Sequence, residues 1–517
     1  MTVAPPVRWP QALATPPRVM IAAVLLATAI GLLGVALSTS DRPTLAVVWG
    51  SLALAAYAGS LLCVVGGGRG AGLGLGRWCF GSWTLLWYGM AFGLATLTWT
   101  QPQTGAAAEI AVASVLRALW LVAVGMTCWA IGYFAGPGRL AGGLAARGVG
   151  ALDRRFAPEV RSLSAPWILY GVGTAARIGS AVTTGRFGYV GDAASIVSAA
   201  SGYGQILNLL SLCAPLAIGA AALQVYRERL PGARITLAVL FLAELGFGAA
   251  AGGKQSFVIA VLAVAIPFSA ARHRLPKPAL MLLMLLFLVV VIPFNQAYRS
   301  AARGGTAQLS AAATIAAAPG IFRQTVTGHD LLTVLPGSVD YLLQRIREID
   351  GPAIILQRTP GQVGFLSPAR LIEGTVTELV PRAIWPGKPI VAVGYQISQK
   401  YYGFSASVYS SSSVTPVGDL YRHGGWVPVI AGMLLLGCGV RLLDDVLDAG
   451  VNPHAIFLVL LLLPTLVKNE LDFVSLLASI PGTIVIWLLA VQLTFRRRRP
   501  GVPPRALLPG AIGQEAW

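Results

Sequence analysis

The chain has 517 residues, 56% of them hydrophobic and 11% charged, with 38 Lys and Arg against 20 Asp and Glu for a net charge of +18. A soluble domain carries about 25% charged residues, so a set of soluble domains, a disordered polymer and a disulfide scaffold are all excluded. Sixty glycines and a mean hydropathy of +0.71 describe a polytopic membrane protein. The pI of 10.2 then points to the bias of Lys and Arg toward cytoplasmic loops and not to nucleic acid.

Apolar runs suited to a bilayer fall at 19–38, 44–66, 78–98, 109–135, 165–182, 203–223, 235–251, 255–270, 278–294, 426–443, 454–468 and 472–494. No small-residue cleavage site follows the first run, which is expected to be a retained span. Twelve spans place both termini in the cytoplasm, and the charges test that layout. The inside segments hold 21 of the 38 basic residues, among them Arg8, Arg18, Arg154, Arg155, Arg227, Arg274 and the run Arg496–Arg499. Short outside loops hold mainly Arg42, Arg186 and Lys254; only the inside loop 444–453 is acidic. The expected fold is all-α: a membrane domain over 1–294 with about nine helices, an extracytoplasmic loop over 295–425, three helices over 426–494 and a basic cytoplasmic tail over 495–517. The five cysteines (Cys63, Cys79, Cys128, Cys213, Cys438) lie in or beside apolar runs without metal-ligand spacing and are read as small buried hydrophobes.

Long loops without secondary structure of their own are usually functional. Within 295–425, Val339, Leu342, Leu343, Ile346 and Ile349 recur at helical spacing, as do Leu371, Ile372, Val376 and Leu379 ahead of Pro381. Both segments are predicted to be amphipathic helices on the membrane surface or over a cavity, while Trp385–Pro416 reads as loop. The loop carries Arg299, Arg303, Arg323, Arg345, Arg347, Arg358, Arg370, Arg382, Lys388, Lys400 and Arg422, and Arg117, Arg177, Arg186 and Lys254 lie near the outer ends of spans. Arginine forks fit phosphate oxygens, so this distribution predicts a pocket for an anionic headgroup, a diphosphate site. Its bland alternative is snorkelling to lipid phosphates.

Carboxylates are scarce. Outside candidates for a base are Glu373, Glu378 and Asp419, with Asp330, Asp340, Glu348 and Asp350 further back; His329 and His423 are also outside. Glu244 is the one acid near mid-membrane, a proton relay or a partner for a neighbouring span. Walker A, GxGxxG and HExxH motifs are lacking, and the run Ser411–Ser413 has no adjacent His/Asp pattern that would make a nucleophile. The single Asp-Asp pair, Asp444–Asp445, falls on the cytoplasmic side, which leaves a divalent-metal site outside without support.

The segment 378–432 reads ELVPRAIWPGKP, then GYQISQKYYG, then SSSVTPVGDLYRHGGWVPVIAGM. It resembles the bacterial oligosaccharide repeat-unit polymerases, the O-antigen polymerase (Wzy-type) family, whose long loop has a similar PR-x-x-WP-x-KP element followed by TP-x-GDLY. His423 stands where an Asn is expected after the GDLY turn. The resemblance implies a GT-C-like membrane glycosyltransferase of the bacterial cytoplasmic (inner) membrane. It would polymerise polyprenyl-diphosphate-linked oligosaccharide repeat units into a cell-surface polysaccharide by inverting glycosyl transfer at the outer face, without a metal or other cofactor. Implied partners are those lipid-linked glycans, membrane lipids, and a flippase or chain-length regulator of the same pathway. On this reading Lys254, Arg299, Arg303, Arg382, Lys388 and Arg422 neutralise the leaving diphosphate. Glu378, or else Asp419, takes the acceptor's proton. Trp385, Tyr395, Tyr401, Tyr402 and Tyr421 offer flat faces to sugar rings. An O-antigen-ligase-like transferase shares the layout. A flippase of lipid-linked glycans is the rival from another class.

Overall fold

The computed structural model describes residues 16–498 apart from 68–72, 135–146, 153, 161, 186, 188–201, 304–310, 328–330, 381–383, 386, 390–391, 406–410, 448–451 and 469. Among the described residues, nine helices are long and apolar enough to cross a membrane. They are Pro17–Ser38, Pro43–Gly66, Val112–Phe134, Tyr203–Glu228, Ala233–Ala250, Lys254–Arg272, Lys277–Ala301, Trp426–Val446 and Phe473–Thr494. The protein is therefore an all-α, multi-pass membrane protein.

The three other expected spans are also helical but differ in kind. The expected span 78–98 is a composite of an α-helix Phe80–Tyr88, a π-turn Gly89–Gly93 and a 3₁₀ run Leu94–Thr100. Ala165–Thr184 carries Arg177 in mid-helix, and Pro453–Lys468 is only 16 residues long. The last span before the loop does not stop at the expected boundary of 294: helix continues through Ile292–Arg303.

Helices Val112–Phe134 and Trp426–Val446 meet backbone to backbone. A Cβ on Gly132 would collide with the Leu434 carbonyl, and one on Gly437 with that of Trp129. This is the small-residue contact by which helices pack where lipid supplies no hydrophobic drive. One departure from an all-helical chain lies at the start of the expected tail. Phe495–Arg497 is a strand that pairs antiparallel with Phe156–Val160.

Two ends of the bundle can be told apart by what they tie together. At one end Asp444 accepts from the N–H groups of Phe80 (2.6 Å) and Gly81 (3.0 Å) and from the Tyr133 hydroxyl (2.8 Å). The Phe495–Arg497 strand pair lies among the loops that the charge pattern assigns to the same end. At the other end the long loop folds onto the spans. Trp99 donates to Asp350 (3.1 Å), the Ala111 N–H to Gln357 (2.7 Å), and Lys254 to the Tyr341 hydroxyl (2.8 Å).

The loop is itself helical: Ala311–Thr327, Leu331–Ile346, Asp350–Arg358, Ala369–Leu379, Val393–Lys400 and Pro416–Arg422. The two predicted amphipathic helices are present as Leu331–Ile346 and Ala369–Leu379. Val393–Lys400 replaces part of what reads as loop, because Val393, Ile397 and Ser398 are buried through tertiary packing that a short, glycine-flanked segment does not announce. Helix Asp350–Arg358 is the keystone of the loop. Ala353, Ile354 and Ile355 are fully buried, and the helix is wedged between Val112–Phe134 and Pro416–Arg422, where Gly418 leaves room for Ile355.

Candidate functional site

The site begins with the π-turn. Opening of the helix at Gly89–Gly93 leaves the Ala91 carbonyl free to accept the Glu348 N–H at 3.2 Å. Such turns in helices frequently mark functional sites. Gly93 makes the turn possible, since a Cβ there would stand 2.8 Å from the Ala55 side chain. The outer loop is thereby stitched to the membrane bundle at an acid, and Glu348 is only 3% exposed.

The segment Ser411–Thr415 runs past this acid, and glycines give it room. A Cβ on Gly351 would lie 2.6 Å from the Ser413 carbonyl, and one on Gly394 would collide with the Ser411 hydroxyl. The Ser412 N–H donates to the Gly394 carbonyl (3.1 Å), and the Ser412 and Ser398 hydroxyls are bonded at 2.8 Å. Buried Thr415 has φ +59°, a conformation costly for a β-branched residue, and its hydroxyl caps the helix that carries Asp419.

Between this segment and the start of the last span is a polar cavity of about 190 Å³, lined by Arg345, Ser411, Ser412, Ser413, Glu470 and Asp472 among others. The Ser413 hydroxyl donates to the Glu348 carboxylate at 2.6 Å and lies 3.3 Å from the Glu470 carbonyl. Burial, reinforced by the nearby Glu470 charge, pushes the Glu348 carboxyl up to about 8. Lys468 pairs with Glu470. Arg345 is exposed at the cavity and makes no hydrogen bond or ion pair with any described residue. Its charge reaches Lys254, as does that of Arg299, so three cations share this corner. A larger groove of about 290 Å³, walled by Leu26, Leu54, Leu119 and Trp120, is apolar and lies among the spans.

The sequence-predicted residues divide into those near the cavity and those tied up elsewhere. Glu378, half-buried, is next to Asp472, Ser475 and Lys388; burial and the Asp472 charge raise its carboxyl above the ordinary range. Asp472 caps the last span through the Ser475 N–H (2.9 Å) and is likewise raised by burial and by Asp419. Lys388 is buried with its ammonium on the carbonyls of Glu378 and Val380, both at 3.2 Å. Lys254 and Arg299 hold the neighbouring helices together, Arg299 by donating to the Gly252 carbonyl alongside Asn295.

Asp419 and Arg422 form a buried ion pair, and Asp419 also accepts the Phe473 N–H at 2.9 Å. Both Asp419 oxygens thus have protein partners, whereas Arg422 uses only its Nε on Asp419 and has further guanidinium N–H groups beyond that bond. His423 sits on the Asp419 carbonyl at 2.8 Å, and burial lowers its pKa. Tyr401 and Tyr402 are buried, Tyr401 bonded to Thr359 and Tyr402 against Phe404, which leaves neither a face for a sugar. Trp385 is exposed, Tyr395 half-buried, and Tyr421 is boxed by Phe365 and Trp426.

Arg382, Arg186, His329 and Asp330 lie outside the described residues, as does the Arg303 side chain. Glu244 is buried in a 2.7 Å ion pair with Arg177 across two helices, so Arg177 is occupied too. Arg117 bonds Ser114 in its own helix. None of the five cysteines is in a disulfide, and all but Cys438 are buried. Among the described residues no group of three or more His, Cys, Asp or Glu is arranged to hold a metal ion.

Sequence reasoning missed the centre of this arrangement. Glu348 was one of several loop acids, and the serine run lacked a partner nearby in sequence because its partner is 65 residues away. The available signals were the paired glycines Gly89 and Gly93 in an otherwise apolar span and a run of serines facing Gly351 and Gly394.

Fold and site define a helical, multi-pass membrane protein with an acid-floored polar cavity where its long loop meets the spans. Residues 188–446 match a family described as Domain of unknown function (DUF8712). The match covers just over half of the chain, and the protein belongs to that family. No curated protein matches the chain, and no solved structure does.

Proposed function

We propose that the protein is a metal-independent glycosyltransferase that extends polyprenyl-diphosphate-linked oligosaccharide repeat units into a surface polysaccharide. In this proposal twelve helices cross the bacterial inner membrane, both termini are cytoplasmic and the cavity opens on the outer face. The observation that carries the reading is Arg345 on the wall of a hydroxyl- and carboxylate-lined cavity at the edge of the spans, with Lys254 within reach of its charge. A diphosphate leaving group needs fixed positive charge where its oxygen becomes anionic. Arg345, with no bond to a described residue, is the group best able to supply it. The acceptor hydroxyl needs a carboxylate within reach of its proton, and the cavity wall and its neighbours supply Glu348, Glu378, Glu470 and Asp472. The resemblance over 378–432 to repeat-unit polymerases supports the same class.

The test is purified protein in proteoliposomes supplied with a lipid-linked repeat unit. Products longer than one repeat support polymerisation, transfer of one glycan to a different acceptor supports the ligase variant, and translocation without extension overturns both. Arg345→Ala is expected to lower extension by at least about tenfold, as loss of one charged hydrogen bond of about 1.5–3 kcal/mol implies.

A further inference from the structure

We propose that Glu348 receives the acceptor hydroxyl's proton through Ser413, making the pair Ser413–Glu348 the proton-removing device of the cavity. The inference rests on the functional reading above and assigns within it the carboxylate that reading leaves open. Three observations carry it. Ser413 lines the cavity and its hydroxyl donates to Glu348 at 2.6 Å, the distance expected between a hydroxyl and the base that activates it. Ser413 is the only described hydrogen-bond donor to that carboxylate, whereas Asp419 is paired with Arg422 and the Phe473 N–H. Glu348 is buried and does not line the cavity, its main-chain N–H resting on the Ala91 carbonyl, so the Ser413 hydroxyl is the group that stands between its carboxylate and the cavity.

The competing carboxylates are placed differently. Asp472 is spent on capping the last span and Glu470 on Lys468. Glu378 shares Ser475 and Lys388 with its surroundings and belongs to the flank of the cavity.

The step balances as follows. The acceptor oxygen forms a bond to the anomeric carbon of the donor while the bond from that carbon to the diphosphate oxygen breaks, and the diphosphate leaves with the electron pair. The acceptor's proton passes to the Ser413 oxygen as the Ser413 proton passes to Glu348. Burial makes Glu348 a stronger base than an exposed carboxylate, suited to a pH near its own titration.

The test uses the full-length protein in proteoliposomes with a lipid-linked repeat unit. Glu348→Gln is expected to lower the extension rate about 10²–10⁴-fold with donor binding unchanged. Ser413→Ala loses the relay, while Ser413→Thr, which keeps the hydroxyl, retains the rate within a few-fold. The wild-type rate should rise with pH along a limb near pH 8 that Ser413→Thr preserves. Extension by Glu348→Gln at the wild-type rate, or Ser413→Ala with an unaltered pH profile, overturns the assignment. Wild-type protein that extends nothing overturns the functional reading instead. The infrared band of a neutral carboxyl then tests the pair itself: its loss in Glu348→Gln and its shift in Ser413→Ala support the pairing, and its absence from wild type overturns it.

Discussion

Asp444 and Glu348 are both buried acids, one at each end of the bundle, and they differ in how completely they are satisfied. Asp444 collects two backbone N–H groups and a tyrosine hydroxyl, so its carboxylate finishes the start of helix Phe80–Tyr88 and ties it to Val112–Phe134 and Trp426–Val446. Glu348 collects one serine hydroxyl from the wall of a cavity, and burial, reinforced by the Glu470 charge, raises its carboxyl to about 8 against the opposing pull of that hydroxyl, Lys468 and Arg345. A buried carboxylate with its lone pairs filled by fixed donors is a structural part. One left short, with an open space on the far side of its single donor, is equipped for proton transfer.

The comparison is sharpest when each acid is removed in turn. Asp444→Ala strands three donors, each costing roughly 1–3 kcal/mol when unpaired. A loss of about 3–5 kcal/mol is expected in denaturant unfolding in detergent. Glu348 should instead appear as a pH effect. A carboxyl whose folded pKa is about 8 against an ordinary 4.5 binds more protons in the folded state than in the unfolded one. Stability is therefore expected to fall as pH rises from about 4.5 through about 8, by on the order of 5 kcal/mol. The burial that raises Asp350, Asp472 and Glu378 acts with the same sign. Glu348→Gln, neutral at every pH, should flatten the Glu348 share of that slope in melting curves recorded at several pH values.

Gly351→Ala probes the room made for the serine segment. Its Cβ would sit 2.6 Å from the Ser413 carbonyl, and overpacking of this kind costs about 1–3 kcal/mol. The cavity should change shape with it, seen as altered accessibility of a cysteine placed at Ser412. At the opposite end Arg441→Ala removes a partly exposed helical pair with Asp445 and a contact over the Tyr133 ring at 5.3 Å, and a change of about 1 kcal/mol is expected in the same unfolding assay.

Sequence made the spans legible because bilayer-crossing helices announce themselves by length and apolarity, and each expected run is helical in the structure. It also located the loop and two of its helices, since Val339–Ile346 and Leu371–Leu379 keep a helical period. What stayed hidden depends on contacts between distant segments. Nothing near Asp419 in sequence says that the Phe473 N–H fills it, and nothing near Ser413 says that Glu348 lies beneath it. Tyr402 reads as a sugar platform among glycines and serines, yet Phe404 and the neighbouring helix bury it. The π-turn is legible only in part, as two glycines four residues apart whose effect on the backbone depends on Ala55 pressing against one of them.

The most direct test of the account is to measure chain extension and unfolding side by side for Glu348→Gln and Asp444→Asn. The account predicts that Glu348→Gln is at least as stable as wild type at pH 7 and extends glycan about 10²–10⁴-fold more slowly, whereas Asp444→Asn is markedly destabilised but its folded fraction extends at the wild-type rate. An active Glu348→Gln, or a stable Asp444→Asn that has lost activity, would contradict it.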